Sequence, residues 1–415
     1  MKIAIVGTGI AGLAAAHQLR GEHELSLFEA GAEPGGHTAT VDVEIDGREV
    51  AVDTGFIVFN ERTYPRFCAL LRDLDVPWQD SCMSFSARVD AENVEYAGTL
   101  STLFAQKRNL VRPRFLRMVM DIRRFYREAR RLLEPGAPDI SLEQFLAEGA
   151  YSRAFIDWHL VPMVAAVWSA GPQGALAMPA RFLVRFFENH GFLELRDRPQ
   201  WLAVQGGSRE YVRRLLQPLR DRVHLHTPVE AVRRTEQGVE LRTARGEVAL
   251  FDRVVLATHG DTARRLLKDP TPLEREVLAP FETQPNEVLL HTDPSVMPRR
   301  RAAWSSWNVQ VGAADASHLC ATYWMNRLQN LQLDTEVFVS LNADGIDPER
   351  VLRRFSYRHP VFTRESVAAQ ARHSEIDGKH GVHFAGAYWR NGFHEDGVES
   401  AAWVCANVPQ AELVA

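Results

Sequence analysis

Residues 2–12 read Lys-Ile-Ala-Ile-Val-Gly-Thr-Gly-Ile-Ala-Gly, continue as LAAAHQL over 13–19, and lead to Leu25-Ser26-Leu27-Phe28-Glu29. This stretch decides the fold. Residues 2–6 read as a short buried strand. The run that follows is rich in strong helix formers. Residues 25–28 make a second strand that ends at an acid. The glycines therefore stand at G-x-G-x-x-G spacing between a strand and a helix, with the acid about 20 residues on, which is the dinucleotide-binding pattern. Gly7 permits the tight turn. Gly9 lets the backbone approach a pyrophosphate, and Gly12 lets helix and strand pack closely. Ile10 and Ala11 open the helix, whose unpaired N–H groups and positive dipole end face the phosphates. Glu29 accepts hydrogen bonds from ribose hydroxyls and repels a 2′-phosphate, which disfavours NADP.

Composition agrees with a globular chain. Of 415 residues, 46% are hydrophobic and 24% charged. At roughly 100–200 residues per domain, two or three domains are expected. The net charge of −5 gives no global argument for nucleic acid, and none is expected as a partner. Cys68, Cys82, Cys320 and Cys405 are scattered and make no CxxC pair, which implies neither a metal nor a disulfide framework and fits a reducing, cytoplasmic setting. His159, His190, His291 and His359 show no ligand spacing, so no metal is expected. Glycines 7, 9 and 12 interrupt the first apolar run, which argues against a signal peptide. No run of 18 apolar residues predicts a membrane span.

The segment after Glu29 distinguishes between dinucleotides. Pro34-Gly35-Gly36-His37-Thr38 places a second glycine pair soon after the ribose acid. It resembles the extension of flavoproteins of the glutathione-reductase and amine-oxidase type. The resemblance implies FAD, with Gly36, His37 and Thr38 lying against it. It extends to Asp53-Thr54-Gly55, where Gly55 would approach the flavin ring. Residues 223–232 (VHLHTPVEAV) read as one strand whose Val229 would reach the adenine side. Residues 251–258 (FDRVVLAT) read as the strand closing the nucleotide domain, bringing Ala257 to the cofactor. A strand at Val382–Ala385 leads to Gly386-Ala387-Tyr388, then Asp396-Gly397-Val398-Glu399-Ser400 and a final helix. The resemblance points that helix N-terminus, with Gly397 and Val398, at the flavin pyrimidine edge, where its dipole stabilises negative charge. Asp396 and Glu399 also fit an N-cap with an acid at the third helical position.

These FAD-type segments fall at 1–60, 200–270 and 373–415. Residues 61–199 and 271–372 are two insertions, expected to build an α+β substrate domain on a Rossmann-type α/β FAD-binding domain. The interleaving resembles the flavin amine oxidase superfamily. VDTGFIVFNERTYP, SCMSFS, NHGF, VQGGSREYV, YWMNRLQNL, HPVF and GFHEDGVES further resemble a bacterial family of NAD/FAD-binding proteins within it. Members are often encoded beside methyltransferases similar to cyclopropane-fatty-acid synthase. That resemblance implies a hydrophobic acyl or lipid substrate, desaturation of methylated fatty acyl chains, and a lipid methyltransferase as a neighbouring partner.

Residues 107–131 (KRNLVRPRFLRMVMDIRRFYREARR) hold ten basic and two acidic residues. Phe115, Val119, Ile122, Phe125, Ala129 and Leu132 recur at helical spacing. The segment reads either as a core-facing helix with a solvated basic face or as a peripheral membrane contact. Trp168, Phe186, Phe187, Trp304, Trp307, Tyr323, Trp324, Phe338, Tyr357 and Phe362 serve as core or line an apolar channel.

Flavin desaturation moves a hydride to N5 and a proton to a base. His394 and Glu395, just ahead of the expected helix, are the candidate acid/base pair; local capping is the other reading. Tyr388-Trp389 is a candidate aromatic wall. Amine oxidation is the second function. Amine oxidases of the superfamily commonly place a lysine near N5, and this chain has only Lys2, Lys107, Lys268 and Lys379, against 44 arginines. A flavin-binding partner of a methyltransferase, without turnover of its own, is the third. No covalent flavin link is expected, since no cysteine lies in 386–397; His37 is the alternative attachment point.

Overall fold

A computed structural model describes residues 1–99, 101–194, 197–312 and 319–408. Its first layer is a five-stranded parallel sheet in the order 382–384, 253–256, 2–6, 24–28, 223–224. Ile3, Ala4 and Ile5 pair with Arg253–Val255 on one side and Leu25–Leu27 on the other, and all three are fully buried. A strand covered on both faces must be apolar throughout, which is why residues 3–6 show no alternation. The first helix, Ile10–Leu19, packs on this sheet and against the last helix, His394–Asn407.

Glycine makes both close approaches. A Cβ on Gly12 would lie 2.0 Å from the Gly7 carbonyl oxygen, and one on Gly397 would lie 2.7 Å from Ile10 Cγ2. Gly7 itself has φ of 102°, a conformation that favours glycine.

The second layer is a seven-stranded sheet in the order 351–361, 282–291, 338–341, 319–324, 307–311, 85–89, 94–97. Phe85–Val89 joins it in parallel register with Trp307–Val311, so both insertions contribute to one sheet. Helices between residues 113 and 189 cover part of it through a core of Phe115, Met118, Phe125, Phe155, Leu183 and Phe187. Phe115, Phe125, Ala129 and Leu132 are buried, as their spacing predicts, and Val119 and Ile122 are partly so.

Three readings of local structure are corrected. Residues 223–232 do not form one strand. Val223–His224 ends in the parallel sheet and Val229–Thr235 begins a separate antiparallel one. His226 takes φ of 50°, and Pro228 has no N–H to continue a ladder. Residues 251–258 are likewise split at Asp252, whose carboxylate accepts the Lys2 amide at 2.7 Å. The last helix opens at His394, not at Asp396. Asp396 is its third residue, and its carboxylate accepts the Phe393 amide at 2.9 Å. Glu399 pairs with Arg390.

Among the described residues no helix is long and apolar enough to cross a membrane.

Candidate functional site

Between the two layers lies a cavity of about 480 Å³. Its floor is the carboxyl edge of the parallel sheet, where open α/β sheets bind ligands. Gly7, Gly9, Ile10, Ala11, Glu29, Gly36, His37, Gly55, Ala257 and Gly386 line it, together with Tyr388 and His394.

The loop around Gly9 is held from two directions. Glu29 accepts the Thr8 amide at 3.1 Å and the Thr8 hydroxyl through one oxygen, and the Gly31 amide at 2.9 Å through the other. Thr8 fills Oε2, and Oε1, which accepts only the Gly31 amide, keeps acceptor capacity for a hydroxyl group in the cleft. Gly35 bridges to Gly9 and donates its amide to the Thr8 carbonyl at 3.0 Å. Gly36, with φ of 61°, approaches so closely that a Cβ would stand 3.0 Å from Gly9 Cα. A Cβ on Gly9 would meet no protein atom within 4 Å, so a side chain there would take cavity space. Gly55 presses on the His37 carbonyl, where a Cβ would come within 2.2 Å.

A second cleft of about 500 Å³ adjoins this one and shares Gly7, Glu29, Thr258 and Thr262. Val229 lies there, at a register shift between the strands 229–235 and 238–243. The remaining candidates stand behind the wall. Gly12 and Gly397 serve helix packing. The Gly397 amide donates to the Phe393 carbonyl at 3.1 Å, so it and Val398 do not present the free helix end. That end belongs to the amides of 394–396, which precede the first intrahelical bond.

The two expected acid/base residues are occupied elsewhere. Glu395 turns away and accepts the Arg66 and Phe67 amides at 3.0 and 2.9 Å. These are orphan donors at the start of the helix Pro65–Asp73, so the carboxylate caps that helix. His394 lines the cavity with its ring, stacked on Phe56 at 3.5 Å. Its Nε2 lies 3.0 Å from both the Thr38 and Tyr211 hydroxyls, which also contact each other. Burial holds this imidazole well below its ordinary range, so it is neutral. His394 and Thr38 thus form a buried polar brace behind the loop.

Sequence reasoning missed a ring cluster. His37 lies 5.6 Å from His259, 5.3 Å from His359 and 5.6 Å from Tyr357, ring centre to ring centre. All four line the cavity. Burial, then the neighbouring imidazoles, pushes His37 down to about 3, and burial pushes His359 down to about 4. The wall is therefore uncharged near neutral pH. Asn286 donates to His359 Nδ1 at 3.0 Å, and Tyr357 shares a 2.7 Å hydrogen bond with Thr54. His259 had a legible signal, since it follows the strand ending at Leu256 on the ligand-binding edge. His359 had none, because only sheet pairing brings it here. Among the described residues no cluster of metal-ligating side chains occurs.

Three buried polar atoms on this wall have no partner: His37 Nε2, Tyr388 Oη and Trp307 Nε1. An unpaired buried polar group costs about 1–3 kcal/mol, so a ligand that pairs these groups is favoured. Beyond them the lining turns apolar, with Trp168, Phe186, Phe192, Trp201, Val288, Tyr323 and Leu341. Of the aromatic residues singled out in the sequence, Trp168, Phe186, Trp307, Tyr323 and Tyr357 line this cavity; Trp304, Trp324, Phe338, Phe187 and Phe362 do not.

The family model for flavin-containing amine oxidoreductases matches residues 10–316. The chain belongs to that family. It is an FAD-dependent oxidoreductase with a Rossmann-type FAD-binding fold. A putrescine oxidase triple mutant superposes with a TM-score of 0.70 at 17% identity, covering 98% of both chains. Cyclohexylamine oxidase from Brevibacterium oxydans IH-35A gives 0.68 at 17% identity, also over 98% of both chains. A CLA-producing fatty acid isomerase from P. acnes gives 0.67 at 14% identity, over 97% of both chains. No curated protein sequence matches the chain. The residues present suit FAD. The glycine cradle leaves room for phosphates beside a helix N-terminus, Glu29 retains an acceptor at Oε1, and three cavity-lining residues carry buried polar atoms without a partner.

Proposed function

We propose that this oxidoreductase desaturates or dehydrogenates a fatty-acyl or lipid-linked hydrophobic substrate. One observation carries the reading. The cavity lining includes many aromatic and aliphatic side chains, and Glu29, at the dinucleotide loop, is the only acid among its described lining residues. An alkyl chain gains roughly 0.8 kcal/mol per CH₂ buried in such a wall. An ammonium group entering it would lose hydration without meeting a carboxylate.

When bound, FAD would accept a hydride from one substrate carbon, and a neutral imidazole of the cavity wall, His37, His259 or His359, would take the proton released from the neighbouring carbon. The protein's part is to hold the chain, exclude water and position polar groups. Trp307 Nε1 and Tyr388 Oη are donors, and burial raises the Tyr388 phenol so that it keeps its proton. His37 Nε2 is a neutral nitrogen whose depressed basicity suits hydrogen bonding to the cofactor or to a substrate head. We assign residues 1–60, 200–270 and 373–415 to holding FAD, and the insertions 61–199 and 271–372 to holding substrate. A neighbouring lipid methyltransferase would supply a methyl-branched chain.

Amine oxidation is the competing reading, favoured by the fold shared with putrescine oxidase and cyclohexylamine oxidase. The test is anaerobic mixing of the FAD-loaded protein with a methyl-branched phospholipid, the matching free acid, and putrescine or cyclohexylamine. Bleaching of the flavin absorbance by an acyl compound alone is expected. Bleaching by an amine, with none by either acyl compound, would refute the proposal.

A further inference from the structure

The basic segment is absorbed by neither the cavity nor the core. It folds as a short turn, Lys107–Val111, followed by the helix Pro113–Glu128. The helix buries Phe115, Met118 and Phe125. At 100° per residue, Leu116, Met120, Arg123 and Arg127 fall within about 60° of one another on the opposite face. Those four point to solvent.

Exposed large apolar side chains are few among the described residues, and four of them lie in this one segment. Val111 is 81% exposed, Met120 58%, Leu110 53% and Leu116 38%. Such side chains gather at one site when something covers them. Around them stand Lys107, Arg108, Arg112, Arg114, Arg117, Arg123 and Arg127. Arg114, Arg117 and Arg127 have carboxylate partners in Glu92, Asp121 and Glu128. Lys107, Arg108 and Arg123 have no ion-pair partner among the described residues. The segment holds ten basic residues and two acidic ones in a chain whose net charge is −5. This positive patch therefore opposes the charge of the whole.

We propose that residues 107–127 dock the protein on an anionic lipid surface, with Leu110, Val111, Leu116 and Met120 entering the headgroup boundary and the unpaired cations meeting lipid phosphates. Apolar tips ringed by long basic side chains suit that boundary, because the alkyl stems can stay in the apolar layer while the charges reach up to phosphate. A nucleic acid would use the cations and leave the four apolar side chains in water. The surface would deliver the enzyme to membrane-resident acyl chains and so deepens the lipid reading, but its test needs no turnover.

The test is flotation of the FAD-loaded full chain with vesicles of phosphatidylcholine alone or mixed with phosphatidylglycerol. Wild type should float with the mixed vesicles and not with pure phosphatidylcholine, and raised salt should release it. Each surface charge contributes about fivefold, so a double change of Arg108→Glu and Arg123→Glu should weaken partitioning by at least twentyfold. Val111→Glu with Met120→Glu should abolish it. Val248→Glu with Leu250→Glu, at exposed apolar positions on a different strand, should leave it unchanged. Retained flavin absorbance establishes that each variant is folded. Failure of wild type to float with anionic vesicles would overturn the proposal, as would equal loss in the Val248/Leu250 control or undiminished binding by Val111→Glu/Met120→Glu. Binding to a DNA duplex with no vesicle binding would assign the patch to nucleic acid instead.

Discussion

Replacing Glu395 separates a capping role from a chemical one. Its two oxygens hold the amides of Arg66 and Phe67, the second and third residues of the helix Pro65–Asp73. Neither amide has a partner within the helix. A side-chain cap contributes about 1 kcal/mol, and a charge near a partly buried helix N-terminus up to about 2 kcal/mol. Glu395→Ala removes both and leaves two donors beside a half-buried surface, so a loss of about 2 kcal/mol is expected. Unfolding entropy of about 2.1 cal/mol/K per residue gives roughly 0.9 kcal/mol/K for a chain this long, hence a fall in Tm of about 2 °C. Glu395→Gln keeps an acceptor and should lose about half as much. Loss of a general base would instead cut turnover by about 10²–10⁴-fold. Differential scanning fluorimetry of the holoenzyme reads the first effect, and anaerobic stopped-flow bleaching by an accepted substrate reads the second. The capping account expects a lowered Tm in Glu395→Ala with a bleaching rate within about threefold of wild type. A hundredfold slower bleaching step with unchanged Tm would refute it and return Glu395 to the chemistry.

Gly12→Ala should abolish retention of FAD through purification, since its Cβ would stand 2.0 Å from the Gly7 carbonyl and force the phosphate loop to move; absorbance of the purified protein checks this. Thr8→Ala removes the hydroxyl that holds Glu29 and should weaken FAD binding by about tenfold on titration of the apoprotein, with the fold intact. Asp396 gives a pH signature. Burial raises its carboxyl from 3.8 to about 7, so the folded protein holds a proton that the unfolded chain releases. That contribution is complete below the unfolded value and declines as pH rises through the folded one. Asp396→Asn should therefore flatten the fall in urea midpoint between about pH 4 and about pH 7; an unchanged slope would show that Asp396 is already ionised in the fold.

The parts legible in the sequence were those fixed by local geometry. The glycines at 7, 9 and 12, the flanking strands and Glu29 act within one unit of about 30 residues, so their spacing encodes their arrangement. The second glycine pair was legible for the same reason, since Gly35 reaches back only to Thr8 and Gly9. The last helix was read two residues late because an acid three positions into a helix looks like a cap, and only the fold shows Asp396 reaching back to Phe393. The helix that Glu395 caps was not legible because its partners lie 328 and 329 residues earlier in the chain. The ring cluster was invisible for a related reason. His37 follows the glycine pair, His259 precedes a helix after the strand 253–256, and His359 sits near the end of the strand 351–361 in the large sheet.

Those same long-range contacts constrain the chemistry. A cavity wall of neutral imidazoles, phenols and indoles can orient a substrate and shed water, and Glu29, at the dinucleotide loop, is the only acid among its described lining residues. The polar groups that sequence proximity offered as acid and base, His394 and Glu395, are consumed in bracing the loop and capping a helix. Three cavity-lining residues from different segments, His37, Trp307 and Tyr388, carry buried polar atoms without a partner. On the proposed acyl reading, a weakly basic nitrogen and two neutral donors would place the chain against the cofactor, and the apolar wall would supply the affinity. Substrate length should accordingly govern KM more than kcat: each added CH₂ that reaches Trp168, Phe186 and Tyr323 should lower KM by about fourfold until the cavity is full, with kcat nearly constant. A series in which kcat rose with chain length while KM stayed fixed would show that these walls act on the transition state instead.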